Sequence, residues 1–316
     1  MNNRTKAHLG LLGTNIFFAL NITPVKQLTN NGFVKPFALN LIRIGVSVIL
    51  FWLLFLLKPS HPGIRRKDIP RFLVCALTGI ALNQMLFITG VSLTFSIHSA
   101  LLVLVTPIVL TILGAIFFKE KFTAVKLTGL LCGIAGACIL IAFRENSGNG
   151  NDVLLGDLLI AANATVYALY FILVKPLMEH YNPVHVIRWI FTFGLFMVLP
   201  FCWRDFTTVH FSKFSTAACI SLAALVLGGT FLAYLFNIYG IKILGPVIAG
   251  AYIYTQPFFA SIIAMIVLNE SLNLYKIIAA VLIFAGVYLA NKKSKPSINT
   301  DDTNAGIYTG DFNKRV

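Results

Sequence analysis

Residues 88–118, ITGVSLTFSIHSALLVLVTPIVLTILGAIFF, and residues 238–268, IYGIKILGPVIAGAYIYTQPFFASIIAMIVL, are one kind of segment written twice. They lie at an offset of 150 positions, so that without a gap Gly90 falls on Gly240 (90 + 150) and Pro107 on Pro257. Further along, the same offset sets Glu120 on Glu270, Lys126 on Lys276 and Gly136 on Gly286. Upstream, after a small loop adjustment, Val25-Lys26 falls on Val174-Lys175 and Arg43 on Arg188. Agreement at so many polar and helix-perturbing positions marks an internal duplication. Both copies are continuously apolar and lack the period-two alternation of a lipid-facing β-barrel, so they read as helices.

The whole chain has the same character. Of its 316 residues 58% are hydrophobic and 11% charged, with a mean hydropathy of +0.84. A soluble domain clothes itself with about a quarter charged residues, so a soluble enzyme is excluded and the solvent is a bilayer. The net charge of +14 would suggest a nucleic-acid partner in a soluble protein, but basic loops held on the cytoplasmic side of a membrane produce it without one. Cys75, Cys132, Cys138, Cys202 and Cys219 all sit in apolar runs. Their odd number and spacing support packing rather than a disulfide framework or a zinc site.

A helix needs roughly 20 residues to span the hydrocarbon. Ten stretches qualify: 9–25, 37–57, 72–93, 97–118, 125–143, 154–174, 184–203, 217–241, 246–268 and 274–290. The fold class expected is therefore all-α integral membrane. Residues 1–143 form a first five-helix repeat, 144–153 a linker, 154–291 a second five-helix repeat, and 292–316 a disordered cytoplasmic tail. The first span carries Asn15, Asn21 and Pro24 and lacks an Ala-x-Ala pattern, so it is expected to stay rather than be cleaved as a signal peptide. Counting basic residues in alternate loops gives 15 on one side (Arg4, Lys6, Lys58, Arg65, Arg66, Lys67, Arg71, Lys119, Lys121, Lys126, Lys175, Lys242, Lys292, Lys293, Lys295). The other side has 6 (Lys26, Lys35, Arg144, Arg204, Lys213, Lys276). Both termini are accordingly expected in the cytoplasm, in a multi-pass protein of the cell inner membrane.

Five spans is an odd number, so the second repeat enters the membrane from the opposite side. Inverted repeats give two states of nearly equal energy, one open to each side, which is the physical basis of alternating access.

The stretch FALNITPVK, Phe18 to Lys26, followed by Arg43, resembles the W-G-S-N-x-x-x-x-K pattern and following Arg of EamA-like members of the drug/metabolite transporter superfamily. The Pro-to-Glu stretches 107–120 and 257–270 are similar to that family's repeated Pro and terminal Glu. The likeness covers residues 9–290. Phe18-Ala19 stands where the pattern has Trp-Gly, and Tyr170 where the second repeat has Asn. The resemblance implies an exporter or exchanger of small metabolites with a central cavity between the repeats.

Polar side chains inside spans point to the site, because an amide in lipid needs a partner or water. Asn21, Asn83, Gln84, His98, Thr106, Asn163, Tyr170, Tyr234, Asn237, Tyr252, Tyr254 and Gln256 are the candidate substrate-binding residues. An amide and aromatic lining suits a neutral or zwitterionic, partly apolar solute. Pro107 and Pro257, preceded by Thr106 and Gln256, each perturb a span near its middle. Arg43 lies about 9 Å below the outer end of its span at 1.5 Å per residue. With the repeats inverted, Lys26, Arg43 and Glu270 gather on the outer side and Lys175, Arg188 and Glu120 on the inner, two equivalent clusters expected to hold helix ends or gates. No Asp or Glu is read as deep in a span, since Asp157 is only four residues into its own.

The chain lacks G-x-x-x-x-G-K-[ST], H-E-x-x-H and G-x-S-x-G, so neither ATP-driven pumping nor a membrane enzyme is expected, and no catalytic residue, metal or cofactor is assigned. The reading is a transporter of amino acids or related amphipathic metabolites, by export or exchange, whose partners are that solute and the bilayer. A nucleotide-sugar or organophosphate exchanger and a non-transporting sensor or structural protein remain the alternatives.

Overall fold

The computed structural model of the protein describes residues 2–57, 63–118, 124–142, 152–268 and 273–291, and every regular element among them is helical. The first half holds α1 (Asn3–Asn30), α2 (Pro36–Leu57), α3 (Ile69–Ala76), α4 (Leu82–Leu93), α5 (Ser96–Leu102), α6 (Val105–Phe118) and α7 (Ala124–Ala142). The second holds α8 (Val153–His180), α9 (Pro183–Phe206), α10 (Thr216–Ala223), α11 (Ala233–Leu244), α12 (Pro246–Ala251), α13 (Gln256–Leu268) and α14 (Leu274–Asn291). The linker and tail read from the sequence, like Glu120 and Glu270, lie mostly or wholly outside the described residues.

Local chemistry sets the ends. Asn2, Asp152, Asn182 and Ser215 cap α1, α8, α9 and α10 by accepting a backbone N–H two or three residues on. Gly245, at φ +85°, makes the turn into Pro246, the first residue of α12, where a missing N–H costs no hydrogen bond.

The duplication reappears in two irregularities. α3 continues into α4 through a π-helical stretch, Leu77–Ala81, and α10 into α11 through another, Ala224–Leu232. The fourth run of each half is broken rather than bent at its proline: α5 ends at Leu102 and α6 begins at Val105, while a 3-10 turn, Tyr252–Thr255, separates α12 from α13. Pro107 and Pro257 therefore fall in the first turn of a half-helix, where proline is tolerated, instead of kinking a continuous one.

Among the described residues seven helical runs are long and apolar enough to cross a membrane: Asn3–Asn30, Pro36–Leu57, Arg66–Leu93, Ser96–Gly114, Val153–His180, Pro183–Phe206 and Thr216–Leu244. Shorter apolar stretches, Leu127–Gly136 and Ile277–Gly286, lie in α7 and α14. Large apolar side chains such as Leu56, Leu57, Phe196, Ile266 and Leu274 are 67–76% exposed, whereas Asn40, His98, Asp157 and Arg188 are fully buried. That inversion of ordinary burial is what an apolar solvent imposes.

α7 and α14 pack along a glycine seam. A Cβ at Gly286 would run into the backbone of Gly129 and Gly133, and one at Gly136 would lie 2.8 Å from the Ala279 carbonyl oxygen. The G-x-x-x-G spacing of Gly129 and Gly133 serves this close approach. Gly286→Leu is expected to destabilise the fold by about 1–3 kcal/mol through overpacking. An unchanged melting temperature in detergent would remove the seam from the account.

Candidate functional site

A cavity lies where both halves meet. α1 contributes Phe18, Asn21 and Ile22, α2 Arg43, α4 Asn83, Gln84 and Phe87, and the break between α5 and α6 Val103 and Thr106. The second half adds Asn163 and Tyr167 from α8, Tyr234 from α11 and Gln256 from the start of α13. Its volume of about 50 Å³ holds a few waters.

Hydrogen bonds fix much of the wall. Asn163 Nδ2 donates to the Asn83 carbonyl oxygen at 2.7 Å, and Tyr234 Oη donates to Asn83 Oδ1 at 3.0 Å. Asn83 thus ties α4 to α8 and α11. Gln256 Nε2 donates to Asn15 Oδ1 at 2.6 Å, and Asn15 Nδ2 donates to the Leu11 carbonyl oxygen at 2.7 Å.

The two π-helical stretches are used in parallel. Asn21 Nδ2 donates to the Gly229 carbonyl oxygen at 2.9 Å, and Tyr234 Oη also reaches the Gly79 carbonyl oxygen at 3.2 Å. Gly79 and Gly229 are equivalents at the offset of 150 (79 + 150). A Cβ at Gly229 would overlap the Asn21 amide, and one at Gly79 the Tyr170 ring. Asn21 and Tyr170 are themselves equivalent positions, so each half presses the same residue against the same glycine of the other. Only glycine leaves that room, and a π-helical turn exposes the carbonyl.

Arg43 is the charged member of the wall. It is 2% exposed, its Nε donates to Thr230 Oγ1 at 2.9 Å, and its Nη1 is buried without a hydrogen-bond partner. No carboxylate among the described residues pairs with it. Thr106 Oγ1 and both ends of the Gln84 amide are likewise buried and unpartnered. A guanidinium, a hydroxyl and an amide therefore surround the cavity with hydrogen-bonding capacity unmet by the protein.

Seven of the twelve binding residues expected from the sequence line the cavity: Asn21, Asn83, Gln84, Thr106, Asn163, Tyr234 and Gln256. The other five lie elsewhere. Tyr170 is stacked on Tyr167 with ring centroids 5.9 Å apart, and Asn237 Nδ2 donates to Tyr167 Oη at 2.6 Å. Both support the wall from behind. Tyr252 Oη pairs with His8 Nδ1 at 2.7 Å, Tyr254 packs on the core, and His98 pairs with Asp157 at 3.0 Å. Asp157, read from the sequence as shallow, is fully buried because α4 and α5 cover it. Phe18, Ile22, Phe87, Val103 and Tyr167 were not among the expected binding residues. The apolar ones carry no sequence signal, since core and cavity apolar residues look alike, and Tyr167 reads equally as an interfacial tyrosine.

The expected charge clusters are placed in part. Lys26 is buried with its Nζ 5.7 Å from the Phe95 ring centroid, and Lys175 is half-buried on α8. Arg188 does not share the role of Arg43. Its guanidinium lies 3.7 Å from the Phe55 ring centroid and 4.6 Å from that of Trp52, with Nη2 3.1 Å from His185 Nδ1, inside an aromatic enclosure away from the cavity.

The EamA-like transporter family matches residues 5–142 and again 154–292. The chain is 25% identical over 250 residues to YetK, an uncharacterized transporter of Bacillus subtilis, covering 79% of this chain and 76% of that one. It is 25% identical to a probable terminal-alkyne amino-acid exporter of Streptantibioticus cattleyicolor (73% and 77% covered) and 22% identical to a WAT1-related protein of Arabidopsis thaliana (90% and 85%). A solved crystal structure superposes with a TM-score of 0.62 at 17% identity, over 91% of this chain and 98% of that one, which speaks for the fold alone. This chain, a multi-pass membrane protein, belongs to the EamA-like transporter family.

Proposed function

We propose that the protein moves small carboxylate-bearing amphipathic metabolites, amino acids or their close relatives, across the cell membrane by alternating access, as an exporter or exchanger. The observation that carries the reading is Arg43: a buried guanidinium with an unpartnered donor, facing a cavity that offers no counter-charge among the described residues. An arginine near a helix centre costs about 2.5–3.5 kcal/mol on insertion scales, and an anionic solute group would offset that cost. Gln84 and Thr106 offer partners for a second polar group, and Phe18, Phe87 and Tyr234 a surface for an apolar side chain. The probable terminal-alkyne amino-acid exporter of Streptantibioticus cattleyicolor, similar over most of its length, points the same way.

In this reading ten passes form two inverted five-helix repeats with both termini in the cytoplasm, and the reciprocal Asn21–Gly229 and Tyr170–Gly79 contacts lie about the pseudo-two-fold axis. A phosphate-bearing solute would call for several cations at the cavity, and Arg43 is alone among the described lining.

Counterflow in proteoliposomes tests this. Vesicles loaded with unlabelled amino acids should take up labelled leucine, phenylalanine or threonine, and the label should remain chemically unchanged. Uptake of labelled nucleotide sugars alone would favour the exchanger reading, and a chemically altered label would favour an enzyme.

A further inference from the structure

A second hollow, of about 750 Å³, opens between the first turns of α1, the start of α9 and the end of α11. It is separate from the cavity at the meeting of the halves and shares no lining residue with it. Its size is that of a site for an organic ligand.

The two helices that form its long walls run antiparallel. Thr14 Oγ1 donates to the Ala233 carbonyl oxygen at 3.1 Å, and a Cβ at Gly10 would lie 3.7 Å from Phe236 Cβ. Continued toward the start of the chain, that register sets Lys6 level with Lys242, and both lysines line the groove. Each is exposed. Lys242 Nζ spends one of its three donors on the Tyr181 carbonyl oxygen, at 3.3 Å. Two amides join them at the mouth, from Asn3 and Asn182. Asn182 Oδ1 accepts the Val184 N–H as the cap of α9, which leaves Nδ2 to donate outward.

Polarity falls away along both walls in the same direction. On α1 the residue one turn below Lys6 is Leu9, which is 53% exposed. On α11 the groove passes from Lys242 to Tyr239 and then to Phe236, six residues or about 9 Å below the lysine. Cations therefore sit at the ends of the helices, at the level of the membrane surface, and an apolar floor lies beneath them within the bilayer. No carboxylate lines the groove, since α1 and α11 contain none and the one on α9, Asp205, lies in its last turn. Glu179, near the end of α8, is outside the lining.

This order of groups matches a phospholipid standing in its leaflet. A soluble anion would meet the two ammonium groups but leave the floor uncovered, whereas an anionic amphiphile satisfies both ends at once. We infer that the groove binds one anionic phospholipid of the leaflet on the N-terminal side, with its phosphate between Lys6 and Lys242 and an acyl chain along Leu9 and Phe236. In the orientation with both termini in the cytoplasm this is the inner leaflet. The site depends on the chain being embedded in a membrane and not on which solute it carries.

Native mass spectrometry of the full chain in detergent tests the inference, with phosphatidylglycerol and phosphatidylcholine of identical acyl chains as probes. Phosphatidylglycerol should bind roughly 10- to 30-fold more tightly, the worth of two lysines at a membrane surface. The double variant Lys6→Gln, Lys242→Gln should bring the two lipids within about threefold, and Lys6→Arg, Lys242→Arg should keep the preference. Lys213→Gln, in the turn after α9 at the other end of that helix, should change nothing. Equal binding of both lipids by the wild type, or an unchanged preference in the double glutamine variant, overturns the site. Displacement of phosphatidylglycerol by an equal concentration of glycerol phosphate would make it a site for free anions and overturn the lipid assignment. Should the double variant fail to fold, Lys6→Gln alone decides, because Lys6 is exposed: it should lose about three- to fivefold of the preference, and no loss overturns the site.

Discussion

Replacing Arg43 by Gln is expected to weaken amino-acid binding by roughly 10- to 100-fold, the worth of one or two hydrogen bonds to a charged group. The same change should leave the melting temperature level or slightly raised. In the unliganded protein Arg43 makes a single hydrogen bond, to Thr230, and holds an unpartnered Nη1. Removing a charge that has no counter-ion among the described residues relieves desolvation rather than breaking a pair. Arg43→Lys should recover part of the affinity, because an ammonium supplies charge without the planar fork that meets a carboxylate with two parallel bonds. Concentration dependence of counterflow gives the affinities, and thermal unfolding in detergent gives the stability. A variant that binds amino acids as the wild type does would end the carboxylate assignment. One that merely unfolds would make Arg43 a structural residue.

Gly229→Ala is expected to destabilise the protein by about 1–3 kcal/mol and to suppress transport, because the added methyl has to occupy the volume of the Asn21 amide. The strain is local to one contact and so should be relieved by shortening its other member. The double variant Asn21→Ala, Gly229→Ala should melt within about 0.5 kcal/mol of Asn21→Ala alone, which is strong coupling between the two sites. Additive losses would mean that the close approach of α1 to the π-helical stretch at Ala224–Leu232 is not what demands glycine there.

How far the sequence could be read differs from element to element. The apolar runs, the offset of 150 and the paired prolines were plain, since hydropathy and repetition are properties of the chain itself. The consequence of the prolines was less so. Each opens a new half-helix after a break, which depends on the backbone geometry at 103–104 and at Tyr252–Thr255. The π-helical stretches have no proline or composition cue and could not be read. Among polar residues the amides of Asn21, Asn83, Gln84, Asn163 and Gln256 announced themselves, because lipid leaves them nowhere else to point.

Arg43 and Arg188 show where reading along the chain stops. They occupy equivalent positions and read alike in the sequence, yet one faces the cavity and the other is enclosed by Trp52, Phe55 and Trp189. Asp157 is the same lesson in depth: counted from its helix end it is shallow, but α4 and α5 close over it. Composition and repetition by themselves determined a helical, duplicated membrane protein, because a bilayer selects for apolar length and an inherited copy leaves its register in the chain. Tertiary structure alone decided which polar side chains share a cavity, which of two equivalent arginines faces it and how deeply Asp157 is buried, because burial, pairing and unmet hydrogen bonds depend on contacts between residues far apart in sequence.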